Sequence, residues 1–246
     1  MQLRHLQRTW DEYGTKDPLW AIATRPEKKG GKWDVNEFFE TGRNEIQIAM
    51  KWVESISPSL KRRKALDFGC GAGRLTQALA DYFDEVAGVD IAPSMIDLAN
   101  GYNRHGDKCR YYLNATEHLR LFADNTFDFI YSSYVLQHIS PQYAKGYIKE
   151  FLRVLAPEGL LVFQLLGGPT SLFRKVVFAL ISDRMVQHLR KLRYGTFRPI
   201  EVHGIKREEV VKFLAENGAE ILDVRDQTSP GKTWQSLRYS VTKSRE

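Results

Sequence analysis

Hydrophobic residues in this chain fall in short runs separated by stretches with a helical period. Apolar or alternating runs at about 64–68, 85–90, 110–114, 127–132 and 160–166 have strand length, and residues 73–83, 93–101 and 141–154 between them carry the spacing of amphipathic helices. Strands and helices alternating at this pitch predict a doubly wound, mostly parallel α/β sheet with helices on both faces. Further on, 206–217 reads as a helix stopped by Gly218, and 221–225 and 237–242 as closing strands. Their short connection makes them an antiparallel pair, so seven strands with an antiparallel last strand are expected. Ahead of the sheet, Phe38, Phe39, Ile46, Met50, Val53 and Ile56 mark a helix over 34–56 that Pro58 stops. Residues 1–33 are rich in aromatic and turn-forming residues, among them Trp10, Tyr13, Gly14, Pro18, Trp20, Gly30, Gly31 and Trp33, and are assigned no element.

One domain is expected over 1–246, made of an extension and helix (1–58), a binding core (59–168), a helical insertion after the fifth strand (169–205), and a helix with closing strands (206–246). A length of 246 residues with 43% hydrophobic content is enough to bury one substantial core. Cys70 and Cys109 are the only cysteines, which excludes a disulfide framework and fits a reducing, cytoplasmic setting. Residues 1–8 lack the apolar stretch of a secretion signal, and no run reaches the roughly 20 apolar residues that span a bilayer. A soluble or at most peripheral protein is expected.

The sharpest local feature is Ala65-Leu66-Asp67-Phe68-Gly69-Cys70-Gly71-Ala72-Gly73-Arg74, followed by Val86-Ala87-Gly88-Val89-Asp90. An apolar run ending in an acid and then glycine at every second position is a buried strand turning tightly into a helix. Asp90 closes the second apolar run 21 residues after Gly69, the distance at which a β-α-β unit returns an acid that accepts from a ribose. The ligand therefore contains a nucleoside. A dinucleotide fits poorly, because the slot of the third glycine in Gly-x-Gly-x-x-Gly holds Arg74, and because Asp67 would repel a pyrophosphate. S-adenosylmethionine (SAM) offers an adenosine for Asp90, an ammonium for the Asp67 side, and no phosphate.

Residues 65–80 resemble the first motif of the class I SAM-dependent methyltransferases, and Gly88-Val89-Asp90-Ile91-Ala92-Pro93-Ser94-Met95 is similar to the segment after it. Phe127 to Ile139 resembles their fourth motif, and Leu152 to Phe163 the helix, turn and fifth strand that follow. The resemblance implies SAM as cofactor, with S-adenosylhomocysteine as product, and no metal. It also implies a cofactor-binding set of Asp67, Gly69, Cys70, Gly71, Gly73, Asp90, Ile91, Met95, Asn114, Ala115 and Ser132. Asn114 stands where the family usually has an acid, and its amide oxygen keeps the accepting role toward adenine. Arg43 is a further candidate, as a clamp on the SAM carboxylate.

Methyl transfer from a sulfonium draws most of its acceleration from alignment, and a base is required only for a hydroxyl or a protonated amine. His138, after the fourth strand, is the candidate base; the alternative is a histidine that only hydrogen-bonds backbone. Tyr13 and Tyr134 are candidates for acceptor contact, with His203 behind them, and core packing is the alternative for the tyrosines.

Between Pro169 and Ile200 seven basic residues face Asp183 alone, so this segment accounts for the net charge of +6 carried by the whole chain. Its apolar positions form two helical sets, Phe173 to Leu180 and Met185 to Leu192, expected to make a basic lid in which Arg190 and Arg193 meet the acceptor. Such a lid suits an acidic acceptor or an anionic membrane surface; a solvated hairpin is the alternative. The expected partner is a small molecule, with carbohydrate, glycolipid and natural product as the classes in view. A nucleic-acid methyltransferase is the runner-up, without the Asn/Asp-Pro-Pro-Tyr/Phe signature of base amino-methylation, and a non-catalytic SAM-binding regulator is the third reading. Oligomeric state is left open.

Overall fold

A computed structural model of the protein describes residues 3–169, 200–227 and 234–244. Helices α1 (Leu3–Lys16), α2 (Pro18–Ile22) and α3 (Val35–Ile56) precede the sheet. Strands β1 (Lys64–Phe68), β2 (Glu85–Asp90), β3 (Cys109–Leu113), β4 (Phe127–Ser132) and β5 (Leu155–Pro169) then alternate with α4 (Arg74–Leu79), α5 (Pro93–Tyr102) and α6 (Pro141–Val154). Helix α7 (Arg207–Glu216), β6 (Ala219–Asp226) and β7 (Trp234–Lys243) follow. The sheet order is β3-β2-β1-β4-β5-β7-β6; the first five strands are mutually parallel, and β7 runs antiparallel between β5 and β6. Among the described residues no helix is long and apolar enough to cross a membrane.

Strand periodicity sorts the core onto two faces. Leu66, Ile130, Leu161 and Phe163 point with Tyr239 and Val241 toward Tyr147, Phe151 and Leu214. Ala65, Phe129, Tyr131 and Val162 point the other way, under Ile46, Ala49, Met50 and Val53 of α3 and Leu75 and Leu79 of α4. Helix α3 begins cleanly because Asp34 accepts from the Glu37 backbone N–H at 2.9 Å, the first half of a capping box. A third cluster joins Tyr13, Trp20, Trp33 and Phe38 to Ala72, Ala92 and Met95, so the amino-terminal segment packs directly on the two loops that follow β1 and β2.

Three elements differ from the sequence expectation. Helix α1 occupies part of the segment left unassigned: Leu6 and Tyr13 lie on one buried face, and Gly14, which reads as a turn signal, is instead a close-approach point. A Cβ there would sit 2.2 Å from Ser94 Oγ, where Asp11 receives the Ser94 backbone N–H at 2.9 Å and caps α5. Strand β5 runs over 155–169 rather than 160–166, because β7 pairs along nearly all of its distal half. Helix α4 ends at Leu79 rather than near 83, where two tight turns bring Phe83 into the core. The expected lid helices, with Arg190, Lys191 and Arg193, lie outside the described residues.

Candidate functional site

The parallel register lines up the carboxyl ends of the central strands, so Asp67 on β1, Asp90 on β2 and Ser132 on β4 open on one rim of the sheet. Between Phe68 and α4 the chain turns through Gly69, Gly71 and Gly73. Gly69 and Cys70 both donate backbone N–H groups to the Val89 carbonyl, at 2.7 and 3.0 Å, which folds the turn back over β2. Gly69 has φ +80° and Gly71 +52°, and side chains on them would meet Val135 at 2.2 Å and Ile22 Cδ1 at 2.7 Å. Glycine is required at both places by conformation and by space.

Asp90 ties this turn to the next one. Its Oδ2 accepts from the Gly71 N–H and its Oδ1 from the Ala92 N–H, both at 2.9 Å. Each oxygen keeps a lone pair for a further donor. Burial raises its pKa, and the two N–H groups offset part of that rise. Asp67 is buried and accepts from the Thr76 hydroxyl at 2.7 Å; burial pushes its pKa up to about 7. The buried Cys70 thiol is pushed well above its usual range by the same desolvation, which removes it as a nucleophile.

Tyr13, Ala72, Ala92 and Met95 belong to one apolar cluster on the turns after β1 and β2, whereas Ile91 is half-buried against the core cluster that holds Phe68 and Val89. Asn114 donates its N–H to the Asp90 carbonyl at 2.8 Å, and its side-chain oxygen receives the Thr116 hydroxyl at 2.8 Å; Ala115 beside it is exposed. Ser132 is buried and donates to the Phe68 carbonyl at 3.2 Å. Arg43 lies on the exposed side of α3, paired with Glu40 at 2.8 Å, and is not brought to the glycine turn. Arg74, the residue in the third-glycine slot, is brought there and pairs with Glu45 at 2.8 Å. Among the described residues no group of three or more His, Cys, Asp or Glu side chains could hold a metal ion.

Past the end of β4, where β5 and β7 continue, lies a polar network that joins Tyr134 and His138 to Gln164 and Ser236, two residues the sequence did not single out. Gln164 accepts from the Tyr134 N–H at 3.1 Å and donates to Ser236 Oγ at 2.8 Å and to Gln137 Oε1 at 3.3 Å. Gln137 Nε2 lies 3.0 Å from His138 Nε2, and His138 Nδ1 lies 2.9 Å from the Glu201 carbonyl oxygen. A carbonyl only accepts, so Nδ1 carries the hydrogen and Nε2 presents its lone pair. Burial lowers the His138 pKa to about 4, so the ring is neutral at pH 7. The Trp10 ring meets it edge-on at 5.4 Å between centroids. Tyr134, fixed by Gln164, has φ +59° and receives the Gln227 amide on its hydroxyl at 3.1 Å. A non-glycine residue held in that conformation is typical of functional loops.

A signal for some of these residues was present in the chain. Glu45 lies three residues after the buried Gly42 and four before the buried Ala49, a carboxylate on the buried stripe of α3. Gln164 interrupts an otherwise apolar strand run. Both are buried polar groups, which need partners and so mark built sites.

A family model described as "Methyltransferase domain" matches residues 66–163, a span that holds the glycine turn, Asp90 and the β4 end. The fold is shared with a SAM-dependent methyltransferase of Clostridium acetobutylicum, at TM-score 0.63 and 18% identity over 92% of this chain and 98% of that one. The chain carries a methyltransferase domain and has the fold of the class I SAM-dependent methyltransferases. The same fold is seen in magnesium protoporphyrin IX methyltransferase of Synechocystis with bound S-adenosylhomocysteine, at TM-score 0.67 and 17% identity over 99% and 100% of the two chains. In sequence the methyltransferase is similar to a ubiquinone biosynthesis O-methyltransferase of Bordetella avium, 26% identical over 189 residues (76% of this chain, 75% of the relative). A Coxiella burnetii protein of the same name is 28% identical over 179 residues, 72% and 71% of the two chains. The methyltransferase uses SAM as methyl donor and acts on a small molecule.

Proposed function

We propose that the methyltransferase makes a methyl ether, transferring the SAM methyl group to a hydroxyl oxygen of a small acceptor seated over the ends of β4 and β5. The observation that carries this reading is the neutral His138 ring, whose Nδ1 contact to the Glu201 carbonyl leaves Nε2 as the acceptor, met among the described residues by the Gln137 amide. The relatives named as O-methyltransferases support oxygen as the target and a natural product as the acceptor class.

When bound, SAM supplies an electrophilic methyl group on a sulfonium, which a hydroxyl oxygen attacks in line with the departing sulfur. Asp90 accepts from the ribose hydroxyls with its free lone pairs, and its two backbone contacts keep it from swinging away. Asn114 and Ala115 border the adenine, between Ile91 and Met95. Asp67 faces the ammonium. His138 Nε2 accepts the acceptor's hydroxyl hydrogen in place of Gln137, orienting the oxygen and taking its proton as the new bond forms. Tyr13 and Tyr134 wall the acceptor, and Ile22 and Val135 exclude water from the glycine turn. The donor set fits SAM: two carboxylates, an apolar cluster on the turns, and, among the described residues, Arg74 already paired with Glu45.

The decisive experiment is incubation with methyl-labelled SAM and a panel of phenols, catechols and sugars, with products identified by mass spectrometry. A labelled methyl ether is expected; label found only on nitrogen or carbon would overturn the oxygen assignment.

A proton-linkage test follows from Asp67. Its folded pKa, about 7, lies above the unfolded value, so between pH 4 and 7 the folded state binds the extra proton. Its contribution to stability is therefore largest below pH 4 and is lost as pH rises through 7, a slope that should vanish in Asp67→Asn. The SAM ammonium favours the carboxylate, so binding should release a proton near pH 6.5 and SAM affinity should rise toward pH 8. Calorimetry in buffers of different ionisation enthalpy measures that proton, and its absence would detach Asp67 from the ammonium.

A further inference from the structure

We propose that Arg238 forms an anion-recognition site in the acceptor cleft, so that the molecule methylated carries a carboxylate. This rests on the hydroxyl-acceptor reading above and adds the group by which the acceptor is held.

Three contacts link Arg238 to the glycine turn. Arg74, the residue after Gly73, binds Glu45 at 2.8 Å; Glu45 Oε1 receives the Tyr131 hydroxyl at 3.2 Å; and the Arg238 guanidinium lies over the Tyr131 ring at 5.7 Å. The sheet register puts Arg238 opposite Gln164 on β5, on the face that carries Tyr131 and Ser236. Arg238 thus stands beside the amide network that ends at His138.

Charge counting identifies its role. The cluster holds two guanidiniums, Arg74 and Arg238, and one carboxylate, Glu45. Burial, the largest influence, raises the Glu45 carboxyl, yet Arg74, paired with it at 2.8 Å, and the more distant Arg238 charge together hold it below its usual range, so one carboxylate is shared by two guanidiniums. Arg225, opposite Arg238 on β6, is already matched by Asp223 at 2.5 Å. Asp67, whose pKa burial pushes up to about 7, is half protonated at pH 7 and is engaged by the Thr76 hydroxyl at 2.7 Å rather than by Arg238. Among the described residues Arg238 therefore has no ion-pair partner, and it is only half exposed. A guanidinium held over a ring keeps its planar fork of N–H donors, which matches a carboxylate with two parallel hydrogen bonds.

The test uses 4-hydroxybenzoate and 4-hydroxybenzamide, which share a hydroxyl and differ in charge, titrated into protein saturated with S-adenosylhomocysteine. The benzoate is expected to bind at least about tenfold more tightly, and Arg238→Gln to weaken it by about 10- to 100-fold while the amide and S-adenosylhomocysteine change less than twofold. Arg238→Lys, which keeps the charge and loses the fork, should fall between and serves if the glutamine variant folds poorly. Equal binding of the two probes, or an unchanged benzoate preference in Arg238→Gln, would overturn the site. The titrations need no turnover. Arg238-dependent benzoate binding without any methyl transfer would leave the anion site standing and count against the hydroxyl reading instead.

Discussion

His138→Ala is expected to lower kcat by about 10²–10⁴ with the best acceptor of the hydroxyl panel, while the Kd for SAM stays within twofold. The separation follows from position: His138 sits past the end of β4, whereas the carboxylates proposed to face the cofactor belong to β1 and β2. The same side chain carries a pH signature. Its folded pKa of about 4 lies below the ordinary 6.5, so its contribution to stability is complete above pH 6.5 and is lost as pH falls toward 4. Thermal unfolding of wild type and His138→Ala across that window should differ in slope. A variant that melts lower but turns over at a near-normal rate would make His138 a structural residue, held by Glu201 and Trp10 for packing alone.

Asp90→Ala is expected to weaken SAM by about 1.5–3 kcal/mol, or roughly 10- to 150-fold, because two ribose hydroxyls lose a charged acceptor. The structure adds a second component. The Gly71 and Ala92 N–H groups also lose their acceptor, so the glycine turn loosens and the melting temperature should fall along with affinity. Asp90→Asn separates the two effects: one oxygen survives, but the amide nitrogen confronts an N–H donor, so affinity should fall between wild type and alanine. Calorimetric titration with SAM and S-adenosylhomocysteine measures both variants, and unaltered affinity in Asp90→Ala would remove the ribose assignment.

The glycine turn and its two flanking carboxylates were legible in the chain because their information is local. Asp67, the three glycines and Asp90 lie within 24 residues, and each is dictated by a backbone requirement that leaves a mark on residue type. The alternation of strands and helices was legible for the same reason, and β1, β2 and β4 fall where the apolar runs put them. The polar network past β4 was legible only at Tyr134 and His138. Glu45, Tyr131, Gln137, Gln164, Ser236 and Arg238 come from α3, β4, the turn after it, β5 and β7, and only the sheet order brings them together. Helix α1 was obscured by Gly14, whose smallness serves contact with Ser94 rather than a turn. Arg43 illustrates the converse: suitable chemistry near the right place in sequence, but one helix position away from the buried face that Gly42 and Ile46 define.

The placement of β7 between β5 and β6 has a consequence for synthesis. Among the described residues strand β6 pairs with no strand except β7, and the outer edge of β5 is closed by β7 alone. A chain emerging from the ribosome can therefore assemble the five parallel strands and the cofactor turn while Leu161 to Leu166 still present a bare apolar edge. Such an edge is a template for pairing with other chains. Deleting residues 234–243 should thus yield a protein that aggregates through β5 rather than a smaller working enzyme, and the lost strand would take Arg238 and Ser236 with it.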